Sequence, residues 1–116
     1  MSIFSYIHAY GLLVNKMEIN SGLIRKDQME LNYVEICLHK TTLLIIEGYK
    51  SFFMCGALDT TVYKDREVIC GKAMGVKTIE QLYNAKIIEL SEYAKQKGLR
   101  VGMFVYEAFK ELSKEK

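Results

Sequence analysis

The hydrophobic period of this chain changes near residue 60, and that change limits the fold more than any other feature. Before it, apolar residues alternate or come in short blocks. Val34, Ile36 and Leu38 fall on one side of an extended segment, and Tyr33, Glu35, Cys37 and His39 on the other. This is the period of a half-buried strand. Leu43–Ile46 and Phe52–Cys55 are apolar blocks on either side of Gly48, the pattern of a β-hairpin. Glu18–Arg25 reads as an earlier strand.

After residue 60 the spacing becomes helical. Thr60–Glu67 is polar and reads as a helix. Thr78 with Gln81 three residues on is a capping box, opening a short helix that turns Ile79, Leu82 and Tyr83 inward. Ile87, Leu90 and Ala94 fit one helical stripe, although Ile87–Ile88 also suits the start of a strand. Gly98 stands where a helix needs a left-handed residue to stop. Val105, Ala108, Phe109 and Leu112 form the apolar side of a last helix, with Lys110, Glu111 and Lys114 toward water. Strands first and helices later predict an α+β fold: an antiparallel, meander-like sheet from the N-terminal half, packed against C-terminal helices. No strand–helix–strand alternation argues for a doubly wound nucleotide fold.

A length of 116 residues suits one domain. Met1 to Asn15 carries no Lys, Arg, Asp or Glu, and it lacks the positive start and cleavage site of a signal peptide. The composition turns ordinary and charged at Met17. Residues 1–16 therefore read as an N-terminal extension and residues 17–116 as a single domain, the alternative being a first strand or short helix docked on the core. Half the residues are apolar, which excludes a disordered chain, yet no apolar run approaches the roughly 18 residues of a spanning helix. Sixteen basic and fourteen acidic residues leave a net charge of +2, too balanced to announce a nucleic-acid or membrane partner. The eight tyrosines are scattered in sequence and away from basic residues, so no stacking platform for nucleic acid is expected. Three cysteines without a C-x-x-C motif read as reduced thiols in a cytosolic protein.

The common catalytic signatures are missing. Gly71-Lys72 resembles part of a phosphate loop, but Arg66 stands where such a loop needs glycine and Ala73 where it needs Ser or Thr. Two histidines, His8 and His39, leave little for a triad. Cys37 and His39 share a strand face, but two ligands are too few, so no metal site is expected. No cofactor is implied.

Two segments remain. In Met54–Asp59, Gly56 lets backbone approach closely and Asp59 suits the cap of a following helix. Cys55 beside it is either a nucleophile activated at a helix N-terminus, with Asp59 or Lys72 assisting, or a small buried hydrophobe. In Gly71–Thr78, the residues Gly71, Lys72, Gly75 and Thr78 either cradle an anion on backbone N–H groups or form a tight connection with solvated lysines. The Met54–Asp59 corner and the Gly71–Thr78 loop together predict a module for a small anionic ligand; Cys55 as nucleophile, with Asp59 or Lys72 assisting, gives the competing enzyme reading. A sheet face left bare by the helices would make a homo-oligomer the third reading.

Gly48-Tyr49 through Phe53–Asp59 resembles the signature of the YunC-like family, the domain of unknown function numbered 1805. Asp65-Arg66, Gly71–Ala73, Gly75–Thr78, Gln81-Leu82, Gly98-Leu99, Gly102-Met103 and Glu107-Ala108 continue the resemblance, which runs from about Met17 to Leu112. It implies an α+β domain in a bacterial or archaeal cytosol and brings no catalytic assignment. The chain departs from the family pattern in its N-terminal extension. It also carries Cys70 where the pattern tends toward alanine, which speaks against a shared functional thiol there.

Overall fold

The computed structural model describes residues 18–56 and 58–114. The predicted extension over 1–16, and Met17 with it, lie outside them. Six strands form one sheet in chain order: β1 (Glu18–Lys26), β2 (Met29–Leu38), β3 (Thr41–Gly48), β4 (Ser51–Met54), β5 (Ile69–Lys72) and β6 (Glu89–Leu90). The helices are a 3-10 turn (Thr60–Tyr63), α1 (Ile79–Tyr83), α2 (Glu92–Gln96) and α3 (Val105–Ser113). The fold is α+β, as the change of period predicts.

Strands β1 to β4 are the predicted antiparallel meander, joined by two-residue turns. In the first turn both central residues, Asp27 and Gln28, have positive φ, the geometry that matches the twist of a hairpin. The sheet then departs from expectation. β5 pairs with β4 in parallel and β6 closes the sheet antiparallel, so the second half of the chain contributes two strands. Gly71 and Lys72 were expected in a loop; they lie in β5. Leu90 was expected on a helix with Ile87 and Ala94; it lies in β6. Backbone pairing overrides the apparent helical stripe there. The Ile87 N–H donates to Met103 O at 2.8 Å, and its carbonyl accepts from Gly102 N at 2.8 Å. Ser91 then caps α2, its Oγ accepting from Ala94 N at 3.3 Å. The helix expected over Thr60–Glu67 reduces to the 3-10 turn.

Strand partners share a face, so rows can be followed across the sheet. Tyr33, Ile46, Phe53, Gly71 and Leu90 make one row, and the helices pack on its side. Phe53 is fully buried and meets Phe109 of α3 edge to face, ring centres 5.0 Å apart. Gly71 fits because a Cβ there would come within 2.8 Å of Glu89 O and 2.9 Å of the Phe53 ring. The next row, on the outer face, runs Ser21, Val34, Ile45, Met54, Lys72 and Glu89. From Val34 onward it passes from apolar to charged.

Two predicted helix signals hold. Thr78 Oγ1 accepts from Gln81 N at 3.0 Å, although the Gln81 side chain reaches back to the Lys77 N–H rather than that of Thr78, and Gly98 has φ +93° just past α2. Among the described residues no helix is long and apolar enough to cross a membrane.

Candidate functional site

The charged end of the outer row is where the chain gathers its polar chemistry. Lys72 projects from β5 and Glu89 from β6, and their Nζ and Oε2 lie 3.2 Å apart. The lysine side chain is only 17% exposed, against 48% for the glutamate. Thr60, buried at the start of the 3-10 turn, donates from Oγ1 to the same Glu89 oxygen at 3.4 Å. That turn is held against the outer face by Tyr63, whose ring meets Phe52 edge-on at 6.1 Å. Asp59 caps the turn as predicted: its Oδ1 accepts from Thr61 Oγ1 at 2.6 Å and from Thr61 N at 3.0 Å. The hydroxyl bond, then the amide bond, hold the Asp59 carboxyl below the usual carboxylate range, and the charge of Lys72 adds to this. Alongside runs a groove of about 520 Å³ between the 3-10 turn, β6 and α2. Glu89 and Thr60 line it together with Lys64, Asp65, Glu92 and Lys95, and Lys95 Nζ pairs with Glu92 Oε1 at 3.5 Å.

The predicted site residues divide. Asp59 and Lys72 meet at this corner. Cys55 does not join them, because it belongs to the core on the helix side of the sheet and is 7% exposed. Its Sγ accepts from Leu44 N at 3.4 Å and donates to Thr42 O at 3.7 Å. Gly56 sits under Met74, whose sulfur occupies the space a Cβ would need. Gly75 takes φ +74°, the reason for glycine at that turn. Thr78 caps α1, and the Lys77 N–H donates to Gln81 Oε1 at 2.8 Å. The loop's own side chains thus consume amides that an anion cradle would use. Thr60 and Glu89 were missed by sequence reasoning. Only strand pairing brings Glu89 beside Lys72, and no short-range spacing announces it.

Cysteines 37, 55 and 70 are all free. Burial pushes the Cys70 thiol up, partly offset by its hydrogen bond with Ser91. No cluster of three or more His, Cys, Asp or Glu suited to a metal occurs among the described residues. The expectation that tyrosines do not cluster with basic residues fails: Lys50 lies over Tyr49 and Lys97 over Tyr93, and a larger cluster forms elsewhere. Tyr83, Tyr106 and Phe104 pack in series, with the ammonium groups of Lys26, Lys110 and Lys86 over their rings. The chain folds back to make this cluster: Tyr83 OH donates to Asp27 Oδ2 at 2.7 Å, tying the β1–β2 turn to α1.

The pattern described as "Domain of unknown function (DUF1805)" matches residues 54–112. That is just over half of the chain, from the end of β4 into α3, and it contains the whole corner. The chain belongs to the DUF1805 family. "Uncharacterized protein YunC" of Bacillus subtilis (strain 168) is similar to it, 34% identical over 85 residues that cover 70% of this chain and 84% of that protein. The fold is similar to that in "Crystal Structure of a Protein of Unknown Function TA1206 from Thermoplasma acidophilum". The TM-score is 0.77 at 25% identity, over 87% of this chain and 99% of that one. Within this DUF1805 chain, the family match leaves out β1, β2 and β3, which supply no residue to the corner.

Proposed function

We propose that this chain is a small-ligand-binding module whose ligand presents an anionic group to Lys72. The observation that carries the reading is the unequal burial of the Lys72–Glu89 pair. A partly buried ion pair contributes little net stability, because desolvation offsets much of the attraction. Lys72 is largely buried while its partner remains half in water at the edge of a groove. A ligand carboxylate or phosphate can take the place of Glu89 against the ammonium, with Thr60 and Lys64 as further donors. Three free thiols support a reducing, cytosolic setting.

The cysteine-enzyme reading receives less support from the geometry. Cys55 lies on the opposite side of the sheet from Lys72, and its sulfur is engaged with backbone groups of β3.

Thermal unfolding of the full chain with inorganic phosphate, pyrophosphate and succinate tests the reading. An anion that binds raises the melting temperature with its concentration, by about 2.7 kcal/mol of stability at a hundred times Kd. Two variants should move affinity in opposite directions. Lys72→Met removes the anion's partner and abolishes the shift. Glu89→Gln removes a competing carboxylate and enlarges it. Loss of binding in both variants, or no shift with any of the three anions, would refute the proposal.

A further inference from the structure

The two edges of the sheet differ. β6 is two residues long, the kind of short edge that protects a sheet from stray pairing. β1 is nine residues long, pairs with β2 without a bulge, holds no proline and carries no charge from Ile19 to Ile24. Among the described residues nothing pairs with its free side.

The turn fixes which groups that side presents. Asp27 and Gln28, both with positive φ, close a two-residue hairpin, so Lys26 and Met29 are a hydrogen-bonded pair. Bonding alternates along an antiparallel ladder, so Glu18, Asn20, Gly22, Ile24 and Lys26 direct their backbone groups toward β2. Ile19, Ser21, Leu23 and Arg25 direct theirs away from the sheet. The side chains of these four lie on the outer face, where Ile19 is 42% and Leu23 49% exposed.

We propose that a second copy of this chain docks on this edge, β1 against β1, antiparallel about a two-fold axis, so that one sheet continues through both copies. The strand complements itself when Gly22 meets the partner's Gly22. All nine residues are then paired, and Glu18 faces the partner's Lys26 at both ends of the joint. Among the described residues neither Glu18 nor Lys26 makes an ion pair within its own chain. Sliding the strands by two residues either way separates these charges. A shift of one residue sets outward-pointing backbone groups against inward-pointing ones and turns the two outer faces to opposite sides. In the centred register Leu23, the most exposed apolar side chain of the strand, lies diagonally across the axis from the partner's Leu23. Gly22 suits the axis as well. The tip of the Tyr33 ring lies over it, with Cε2 2.9 Å from where a Cβ would stand, so one ring covers each of the two central glycines. This surface is at the opposite edge of the sheet from the Lys72 corner and independent of it.

Sedimentation of the full chain at micromolar concentrations should give twice the mass of one chain. Ser21→Pro removes an N–H that faces the free edge and leaves the ladder with β2 intact, as proline on an edge strand does. It should give a monomer with the circular dichroism of the parent chain. Glu18→Lys should weaken the dimer about tenfold, because the two-fold makes each lost pair count twice. Lys26→Glu should do the same, and the two changes together should restore the dimer. Amide exchange reads the joint independently: Ile19, Ser21, Leu23 and Arg25 should exchange slowly in the dimer and fast on dilution, while Asn20, Gly22 and Ile24 stay slow throughout. A monomeric parent chain overturns the proposal. So does a dimer that keeps its strength in Ser21→Pro or leaves those four amides fast, since either moves the interface to another surface. The charge exchange stands apart from the proline variant: a double variant that does not restore the dimer overturns the pairing.

Discussion

The two faces of the sheet are built on different terms. On the helix side, Leu44, Ile46 and Phe53 are fully buried, and α1, α2 and α3 close over them. On the outer side, Val34, Ile36 and Ile45 are only partly buried, and Ile19 is 42% exposed. Cover on that side comes from the 3-10 turn over β4 to β6, where Tyr63 meets Phe52 and Thr60 meets Glu89. The comparison teaches a division of labour: the helix face supplies most of the stability, and the far end of the outer face holds the polar corner.

Paired truncations break or sharpen this contrast. Phe53→Ala empties the centre of the helix face and should cost about 3–5 kcal/mol. Ile36→Ala, on the outer face, should cost about 1 kcal/mol or less. Urea unfolding midpoints measure both. Equal losses would mean that the outer face is packed as tightly as the core.

That contrast was only half legible in the sequence. The alternation in β2 was plain, yet alternation does not say which side is covered. The helix side takes Leu31 and Tyr33, while the more uniformly apolar set of Val34 and Ile36 faces outward. The hairpins were legible because their signals are local: apolar blocks flank short turns. β5 and β6 were not. Each is four residues or fewer, and each is defined by partners far away in sequence. Ile69–Lys72 contains a glycine and a lysine, poor strand formers judged alone, and exists as a strand because β4 lies beside it. The corner suffered the same fate. Asp59 as a cap could be read from its neighbours. Lys72 was singled out for a loop role that pairing replaced with a strand role. Glu89 and Thr60 depend on the fold entirely.

Gly71 tests that long-range pairing with an intermediate effect. A methyl group there would meet the Glu89 carbonyl and the rings and methyls of the adjoining row. Backbone cannot yield as a flexible side chain can, so Gly71→Ala should cost about 1–3 kcal/mol. It should also push β6 from β5, and with it Glu89 from Lys72. Amide exchange at Ile88 and Ser91, whose N–H groups donate to Lys72 O and Cys70 O, reads this directly. Faster exchange at those two amides with little change in β1 to β3 is the expected outcome. Uniform acceleration would mean that the sheet opens as one unit.

The smallest effect concerns Cys70, which sits on the outer face in the row of Phe52 and yet is fully buried. Burial raises its thiol, so the folded chain keeps a proton that the unfolded chain releases. Stability from this source is intact below the free thiol value of about 8.5 and falls as the pH rises from there through the folded value, by at most about 1.4 kcal/mol per pH unit. Cys70→Ala removes the titrating group. At neutral pH the variant should be about 1 kcal/mol less stable, for the lost sulfur contacts. The gap to the parent chain should narrow as the pH rises above the free thiol value. Urea midpoints at neutral and alkaline pH give both slopes. Converging curves place a second, smaller dry region under the 3-10 turn, so that the outer face is a core at one end and a bare sheet at the other. Parallel curves mean that Cys70 ionises as easily folded as unfolded, and that the 3-10 segment lifts away often enough to wet it. The same segment carries Asp59 and Thr60, so the outcome bears on how firmly the polar corner is held.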